Sequence, residues 1–343
     1  MHSGDRMRCL TRCSIFKAVA AMMLVVVVKI CAAELDVAYY DFRCPDALAI
    51  VQGGVHAAMQ RDARAPASLL RLHFHDCFVN GCDGSNLLDD RPGFVGEKTA
   101  APNLNSARGF EIIDEIKQQL EDACPKTVSC ADIVAAAARD AVFLSGGPFW
   151  DVELGRRDAL TTSSQAAVNS IPSPRFNVPQ LIKSFNAVGL DKKDVVALSG
   201  SHTIGIARCA SFQARLYNQG NSGRPDSSLE KHYLAELQNR CPQSGDGNQT
   251  AFLDPCTPTT FDNQYYKDLQ AGRGLLFSDE VLETTSGTTL KLVELYATDQ
   301  TAFFTDFVSS MLKMASIHVK ADSEGEIRRN CRIPNSVNAK GGT

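Results

Sequence analysis

The sequence lacks several features that would place it in a specialised class of protein. Its 343 residues contain no repeat with a period of about 20–50 residues and no long low-complexity segment, which excludes solenoids and disordered arms. A net charge of −4 makes nucleic acid a poor partner, and we expect none. What is present is a globular chain whose hydrophobic residues, 44% of the total, suffice for a large core.

Long apolar runs are also missing. The longest, Ala18–Val28, falls well short of the roughly 20 residues that span a bilayer. It follows a short basic segment and precedes the small residues of Cys31-Ala32-Ala33, which is the pattern of a secretory signal. We predict a signal peptide over residues 1–33 and one domain over residues 34–343, without membrane attachment after cleavage. A membrane anchor is the alternative.

Cysteines are not scarce, and nine remain outside residues 1–33. A secreted protein meets an oxidising compartment, where disulfides between eight of them are the default and one is left over. Spacing alone cannot choose among the roughly 105 possible pairings of eight cysteines. The sequon Asn248-Gln249-Thr250 lies in a polar stretch and predicts a glycosylated surface loop at Asn248.

Apolar periodicity predicts a mainly α-helical protein with few, short strands. The residues that recur at helix spacing after Ser106 are Phe110, Ile112, Ile113, Ile116 and Leu120. Further helices are predicted over Ala47–Arg61, Ala67–Cys77, Cys130–Leu144, Val178–Val188, Asp191–Leu198, Thr203–Tyr217, Gln264–Leu269, Thr288–Ala297 and Thr301–Ser316.

The stretch RLHFHDCFVNGCDGS, beginning at Arg71, concentrates residues that can do chemistry. On a helix, His73 and His75 lie about 200° apart and cannot hold one metal ion. Arg71 and His75, four residues apart, share a face with Phe74 beside them. That pair suits a charge stabiliser next to a proton carrier. A surface arginine beside a hydrogen-bonded histidine is the alternative.

Oxygen-bearing positions follow in the same stretch. Alternating side-chain and carbonyl oxygens are how a chain wraps a hard cation such as calcium, and a polar turn without metal is the alternative. The flanking Cys77 and Cys82 could close this loop. The candidate ligands are Asp76, Val79, Gly81, Asp83 and Ser85.

The octet Arg71-Leu72-His73-Phe74-His75-Asp76-Cys77-Phe78 resembles the distal helix of the secretory plant haem peroxidases, called class III. The resemblance extends from about Leu35 to Cys331 and implies a mainly α fold with haem between a distal and a proximal helical half. Further motifs in the order of that family are Ala107–Phe110, Val128–Asp132, Leu154–Asp158, Val196–Gly205, Phe261–Asn263 and Ser278-Asp279.

The resemblance also implies roles for individual residues. His202 would be the axial ligand of the iron of haem b, with its second ring nitrogen bonded to Asp279. Arg71 and His75 would be catalytic, with Asn103 accepting from His75 and Phe74 beside the pair. Asn103 alternatively caps a helix.

Two calcium ions, four disulfides and a donor region complete the implied set. Pro172 would lie near the exposed haem edge, where donors bind. The distal calcium would use Asp76, Val79, Gly81, Asp83 and Ser85, with Glu97 through water; the proximal one would use Thr203, Asp254, Thr257, Thr260 and Asp262. The pairs would be Cys44–Cys124, Cys77–Cys82, Cys130–Cys331 and Cys209–Cys241. Cys256 is left over, at a position where the family pattern requires no cysteine. We expect a reduced thiol that is buried and inert, because free cysteines are usually buried, and a thiol available for oxidation is the alternative.

The implied function is oxidation of small phenolic donors by hydrogen peroxide in two one-electron steps, by a monomer in the extracellular space or cell wall. Cell-wall phenolic metabolism, peroxide removal and the stress response would be its context, and the vacuole is an alternative location. A catalytically inactive, secreted peroxidase-like binding protein is the alternative function. Retention of residues on both haem faces argues against it, because binding alone needs neither face.

Overall fold

The computed structural model describes residues 35–320 and 322–338, so the predicted signal peptide lies outside the described residues. The helices are α1 Ala47–Arg61, α2 Ala65–Cys77, α3 Phe110–Ala123, α4 Cys130–Leu144, α5 Ser164–Ser170, α6 Val178–Asn186, α7 Lys192–Ser199, α8 Cys209–Tyr217, α9 Lys231–Arg240, α10 Gln264–Gln270, α11 Phe277–Thr284, α12 Thr288–Thr298, α13 Gln300–Ala315 and α14 Asn335–Asn338. Strands β1 Ile206–Arg208 and β2 Thr250–Phe252 pair antiparallel. The prediction of a mainly α fold with few short strands is confirmed. Among the described residues, no helix has the length and apolar character that a bilayer crossing needs.

Helix α4 is the centre of the part of the fold that carries Arg71 and His75, which we call the distal half. Every residue from Cys130 to Val142 is buried, and the alanines in that run let α1, α2 and α3 pack closely around it. Ser129 caps its first turn by accepting the amide of Asp132 at 3.1 Å. This packing fixes α2, which carries Arg71 and His75, against a rigid support.

The part of the fold that carries His202, which we call the proximal half, is built around aromatic side chains. Helix α7 packs against α12 and α13, and α10 packs against α12 and the 3₁₀ turn Gly200–Thr203. Phe261, Phe303 and Phe307 are fully buried and meet with ring centroids 4.9–5.8 Å apart. Burial of each such ring stabilises the fold by roughly 1.5–3 kcal/mol. Because α13 also contacts α2, the two halves share one core.

The predicted helix Thr203–Tyr217 is wrong over its first six residues. Gly205 adopts a φ of +104°, and a Cβ there would lie 2.9 Å from Ala67 Cβ, so the chain turns sharply. The next residues form β1, and the helix begins only at Cys209. Apolar spacing continues through this turn, which is why periodicity did not reveal it. Helices α5, α9, α11 and α14 were missed, and α2 begins at Ala65 rather than Ala67.

Four disulfides cross-link the described residues, and they are the four pairs that the resemblance implies. Each bridge that closes a loop in a secreted domain typically adds about 2–5 kcal/mol. The bridges are Cys44–Cys124, Cys77–Cys82, Cys130–Cys331 and Cys209–Cys241.

Candidate active site

Arg71 and His75 face each other one helical turn apart on α2. Arg71 Nε donates to His75 Nε2 at 3.1 Å. The guanidinium is held from behind, since Nη2 donates to the Pro102 carbonyl at 2.9 Å and to Ser106 Oγ at 3.2 Å. Burial lowers the pKa of Arg71 to about 10, so the group stays cationic at neutral pH. The pair therefore presents a fixed positive charge beside an imidazole.

Asn103 orients the imidazole from its other edge. His75 Nδ1 lies 2.5 Å from Asn103 Oδ1, and Asn103 Nδ2 donates to the Glu97 carbonyl at 2.9 Å. Because the amide hydrogens of Asn103 are directed at Glu97, its oxygen faces His75 and must accept. His75 then carries its proton on Nδ1 and leaves a lone pair on Nε2.

The electrostatic setting keeps His75 neutral. Burial, then the adjacent Arg71 charge, lower the pKa of His75 well below its ordinary value, and the bond to Asn103 opposes them. A neutral imidazole at physiological pH can accept a proton, which an imidazolium cannot. His73 points elsewhere: it is buried, lies 3.6 Å from Cys77 Sγ, and has its pKa lowered to about 3 by burial.

The predicted distal cation ligands converge in a buried pocket just beyond His75. Asp76 and Glu97 are 0% exposed, and Asp83 and Ser85 are 1% exposed. Within the described residues, Asp76 Oδ1, Ser85 Oγ and Glu97 Oε2 are buried without a hydrogen-bond donor or acceptor partner. Buried oxygens of this kind are costly unless a cation, or water bound to one, satisfies them.

The charges of this pocket lead to the same conclusion. Burial raises the pKa of Asp76 well above its ordinary value, and the neighbouring Asp83 adds to the rise. Burial likewise raises the pKa of Asp83, and that of Glu97 to about 7. Lys320 Nζ, 3.2 Å from Asp83 Oδ2, neutralises one of these acids, and the others lack an equivalent ion pair at this pocket within the described residues. The residues present therefore fit a divalent cation.

The remaining predicted distal positions, Val79 and Gly81, lie in the loop between Asp76 and Asp83. Val79 is buried, and its amide donates to the Asp76 carbonyl at 3.1 Å. Gly81 adopts a φ of +106°, and a Cβ there would come within 2.7 Å of the His318 backbone oxygen. Only glycine fits this turn without displacement. The Cys77–Cys82 disulfide closes the loop around it.

The predicted proximal histidine is held by a carboxylate. His202 Nδ1 donates to Asp279 Oδ1 at 2.8 Å. Asp279 is 2% exposed and also accepts from the Tyr265 hydroxyl at 3.1 Å and from the Leu276 amide at 3.2 Å. The His202 side chain remains 36% exposed, which leaves its other edge accessible to a ligand.

Four oxygens of the predicted proximal cation site meet directly after His202. Thr203 Oγ1 lies 3.2 Å from both Asp254 Oδ2 and Asp262 Oδ1, and Thr257 Oγ1 lies 3.1 and 3.2 Å from the same two atoms. Two hydroxyl hydrogens cannot fill four contacts, so a cation suits the cluster. Thr260 is exposed, and its amide donates to the Thr257 carbonyl at 3.0 Å.

The other predicted residues lie at the periphery. Phe74 stacks on Phe78 with centroids 4.1 Å apart and meets the His75 ring at 6.0 Å. Pro172 is partly buried. Asn248 is exposed, and its side chain bonds Arg208 at 2.5 Å and Asp246 at 2.8 Å.

Cys256 forms no disulfide within the described residues, and the expectation that it is buried is wrong. The thiol is exposed, and Sγ lies 3.5 Å from Asp268 Oδ1. Partial desolvation, then the Asp268 charge, raise the pKa of Cys256, which disfavours the reactive thiolate. The residue stands on an exposed turn between Asp254 and Thr257, and no sequence signal distinguishes that turn from a buried one.

Sequence reasoning missed two residues that support the site. The Tyr265 hydroxyl donates to Asp279, and the Thr162 hydroxyl donates to Glu97 Oε1 at 3.0 Å. Tyr265 follows the motif Phe261–Asn263 closely, but its neighbour Tyr266 is equally buried and bonds the Val196 carbonyl instead. Only the fold decides which of the two tyrosines reaches Asp279.

A neutral, oriented histidine beside a fixed arginine, and a second histidine held by a carboxylate, are the groups that a haem enzyme reducing peroxide requires. The family model described as "Peroxidase" matches residues 51–299. "Peroxidase 72" of Arabidopsis thaliana is 53% identical over 297 residues, 87% of this chain and 88% of its own. "Peroxidase 15" of Ipomoea batatas is 52% identical over 305 residues, which cover 88% of this chain and 93% of the relative. "Peroxidase 40" of Arabidopsis thaliana is 54% identical over 303 residues, which cover 88% of this chain and 86% of the relative.

The chain belongs to the peroxidase family, among the class III haem peroxidases of plants. It is an oxidoreductase with the haem peroxidase fold, and its substrates are hydrogen peroxide and a reducing donor.

Proposed function

We propose that this peroxidase is a secreted monomer, with its enzyme domain over residues 34–343, that uses haem b to oxidise small phenolic donors in two one-electron steps. The observation that carries the proposal is the state of His75, whose Nδ1 proton is directed at Asn103 while Nε2 remains a base. Cell-wall phenolic metabolism, removal of peroxide and the stress response are the proposed setting.

In the distal half, one residue transfers the proton and another stabilises the developing charge. His75 Nε2 takes the proton of the incoming peroxide and returns it to the departing oxygen, acting first as base and then as acid. Arg71, 3.1 Å away, stabilises the negative charge that develops on that oxygen. Asn103 holds the ring so that Nε2 is the basic nitrogen throughout. Bound haem would supply the iron and store the oxidising equivalents.

The proximal residues would hold that haem. His202 would ligate iron through Nε2, since Nδ1 is bonded to Asp279. Donation to a carboxylate gives the imidazole partial imidazolate character, and this increases the electron density that His202 places on a bound metal. Tyr265 and the Leu276 amide keep Asp279 in place as an acceptor.

Two calcium ions would bind beside the two histidines. The distal ion would take Asp76, Val79, Gly81, Asp83 and Ser85, with Glu97 through water, and the unpartnered oxygens of Asp76, Ser85 and Glu97 support it. The proximal ion would take Thr203, Asp254, Thr257, Thr260 and Asp262, supported by the four-oxygen cluster.

Donors would approach near Pro172. Arg175 is exposed nearby in sequence and donates to the Ala210 carbonyl at 3.2 Å, and Ser211 follows that residue. We expect Arg175 and Ser211, as neighbours of this region, to influence donor preference. Secretion would require cleavage after Ala33, and exposed Asn248 would carry a glycan.

The test uses holoenzyme purified from a secreting host. We expect a Soret band, two calcium ions by metal analysis, mature protein beginning at Glu34, and peroxide-dependent oxidation of a panel of phenols. A protein that binds haem but leaves every phenol unoxidised would favour a binding function. Oxidation of ascorbate alone would overturn the donor class.

A further inference from the structure

Arg215 is a buried cation that follows His202 by 13 residues along the chain (215 − 202). It lies in α8 and is 2% exposed. Its Nε donates to Asp226 Oδ2 at 2.9 Å, and its Nη2 donates to Ser228 Oγ at 3.3 Å. The backbone repeats the attachment, since the Asp226 amide donates to the Arg215 carbonyl at 2.7 Å. One end of the guanidinium is thus fixed to a single short segment.

The other end holds three consecutive carbonyls. The two hydrogens of Arg215 Nη1 are shared among the carbonyls of Gly274, Leu275 and Leu276, the last two at 3.1 Å each. These residues lie immediately before α11, the helix that carries Asp279. A cation that bonds three carbonyls in succession sets the path by which the chain enters this helix.

One peptide unit connects this arginine to the histidine partner. The Leu275 carbonyl accepts from Arg215, and the amide of the same peptide unit, on Leu276, donates to Asp279 Oδ2 at 3.2 Å. Donation to a carbonyl strengthens the hydrogen that its own peptide offers. Asp279 then accepts from His202 through its other oxygen. The contacts run without a gap from guanidinium to imidazole.

The local packing leaves this segment little freedom. The Gly274 amide donates to Glu280 Oε2 at 2.9 Å, and a Cβ on Gly274 would lie 2.7 Å from that oxygen. Glu280 directly follows Asp279, and its carboxyl lies 3.9 Å from Arg215 Nη2. Arg215 is therefore central to the segment that aims the carboxylate.

We propose that Arg215 is a positioning residue that sets the strength of the hydrogen bond from His202 to Asp279, and thereby the electron density that His202 places on bound iron. This inference rests on the proposed role of His202 as the haem ligand. Loosening the segment weakens the bond, lowers the imidazolate character of His202 and favours ferrous iron over ferric.

The test compares Arg215→Lys with a control of equal burial. Lysine keeps the positive charge, so a change in potential reports geometry rather than charge. Arg156 in the other half is 1% exposed and likewise bonds a carboxylate, Asp132, and the carbonyls of Glu153 and Ala315. Arg156→Lys should lower the melting temperature without moving the potential.

Ferric/ferrous potentials and the iron–histidine stretching frequency of ferrous holoenzyme are measured, with Asp279→Asn as the reference for a lost bond. We expect Arg215→Lys to raise the potential by about 59 mV or more, a tenfold change in this one-electron equilibrium, and to lower the stretching frequency. A parent-like potential and frequency in Arg215→Lys, or an equal shift in Arg156→Lys, would overturn the inference.

Two further measurements keep the outcomes separate. If Arg215→Lys does not fold, Ser228→Ala decides, because it removes one outer attachment of Arg215 without changing any charge. We expect a smaller shift in the same direction, and a parent-like potential would overturn the inference. A parent enzyme without any iron–histidine band would contradict the proposed haem ligand. A band that Asp279→Asn moves and the other variants leave unchanged would contradict only the role of Arg215.

Discussion

The distal and proximal halves each place a candidate cation site beside a histidine, but they assemble that site from different parts of the chain. In each, a histidine is followed directly by a candidate cation ligand, Asp76 after His75 and Thr203 after His202. The candidate distal ligands apart from Glu97 come from one stretch, residues 76–85, which a disulfide closes. The candidate proximal ligands join positions 51–59 residues apart along the chain. The distal pocket is local, whereas the proximal one depends on the completed fold.

The two pockets also differ in how far protein groups satisfy them. Asp254 Oδ1 accepts the amides of Cys256 and Thr257 at 2.7 and 2.9 Å, and Asp262 accepts the amide of Gln264 at 2.8 Å. Asp76 and Glu97 each keep a buried oxygen without a partner among the described residues. A distal cation should therefore contribute more to local order than a proximal one.

The largest effect should follow loss of the proximal histidine. His202→Ala removes the proposed iron ligand, and even partners of metal ligands typically contribute ~10–100-fold to affinity. We expect haem affinity to fall by more than ~100-fold, measured by haem titration of apoprotein. Unchanged haem content and spectra would place the ligand elsewhere.

The mirror substitution in the distal half should separate binding from chemistry. His75→Ala leaves His202 in place, so haem should be retained while the proton carrier is lost. General acid–base transfer typically contributes ~10²–10⁴-fold, and we expect a loss of that size in the rate of reaction with peroxide, measured by stopped flow.

His73→Gln is the matched control, because His73 is also buried on the same helix and faces Cys77. It should keep a peroxide rate close to that of the parent. A parent-like rate in His75→Ala would defeat the assignment of the base.

Removal of the distal cation should come next in size. Asp83→Asn weakens a proposed calcium ligand without touching a proposed catalytic group, and it should loosen the loop that follows His75. A displacement of about 1 Å can cost ~10²-fold in rate, and we expect a partial loss up to that size because the Cys77–Cys82 bridge remains. Chelation should reproduce the loss and added calcium should reverse it, with metal content measured in parallel. A fully active enzyme that contains no calcium would refute the coupling.

The proximal counterpart, Asp262→Asn, should have a smaller effect on the peroxide rate than Asp83→Asn. Asparagine can still accept the Gln264 amide, and both threonine hydroxyls remain to bond Asp254. Calcium content and peroxide kinetics of the two variants, measured side by side, test the ranking. The reverse order would show that the completed fold, rather than the local loop, depends more on its ion.

The smallest effect should be that of Cys256→Ser. The thiol is exposed and bonds only Asp268 among the described residues, so the kinetics should remain parent-like. Thiol titration of native, unreduced protein should find one reactive group in the parent and none in the variant. No reactive group in the parent would mean that Cys256 is paired with another molecule.

The same contrast explains what could be predicted from the sequence. Arg71 and His75 are four residues apart, so helical geometry alone places them on one face, and the spacing of residues 76–85 suggests a cation loop. The meeting of Thr203 with Asp254 depends on Gly205 and the sheet after it, which apolar periodicity read as continuous helix. Resemblance supplied the proximal residues that local patterns could not.

Other features lay beyond both kinds of reasoning. The order of Tyr265 and Tyr266 in the sequence does not predict which of them bonds Asp279. The residues next to Cys256 do not predict that its side chain is exposed. These depend on the direction in which α10 and the preceding turn face once the core is packed. Arg215 acts through a backbone carbonyl, and backbone contacts leave no residue-type signature.

The Cys130–Cys331 bridge joins positions 201 residues apart, and this has a consequence for how the protein is made. At about 5–20 residues per second, the ribosome needs roughly 10–40 s to supply Cys331 after Cys130 has emerged. Throughout that interval Cys130 is a thiol without its partner, while Cys209, Cys241 and the unpaired Cys256 follow it out. We therefore expect the yield of native enzyme to depend on thiol exchange during the proposed secretion, and a disulfide isomerase to matter more for this chain than an oxidant alone.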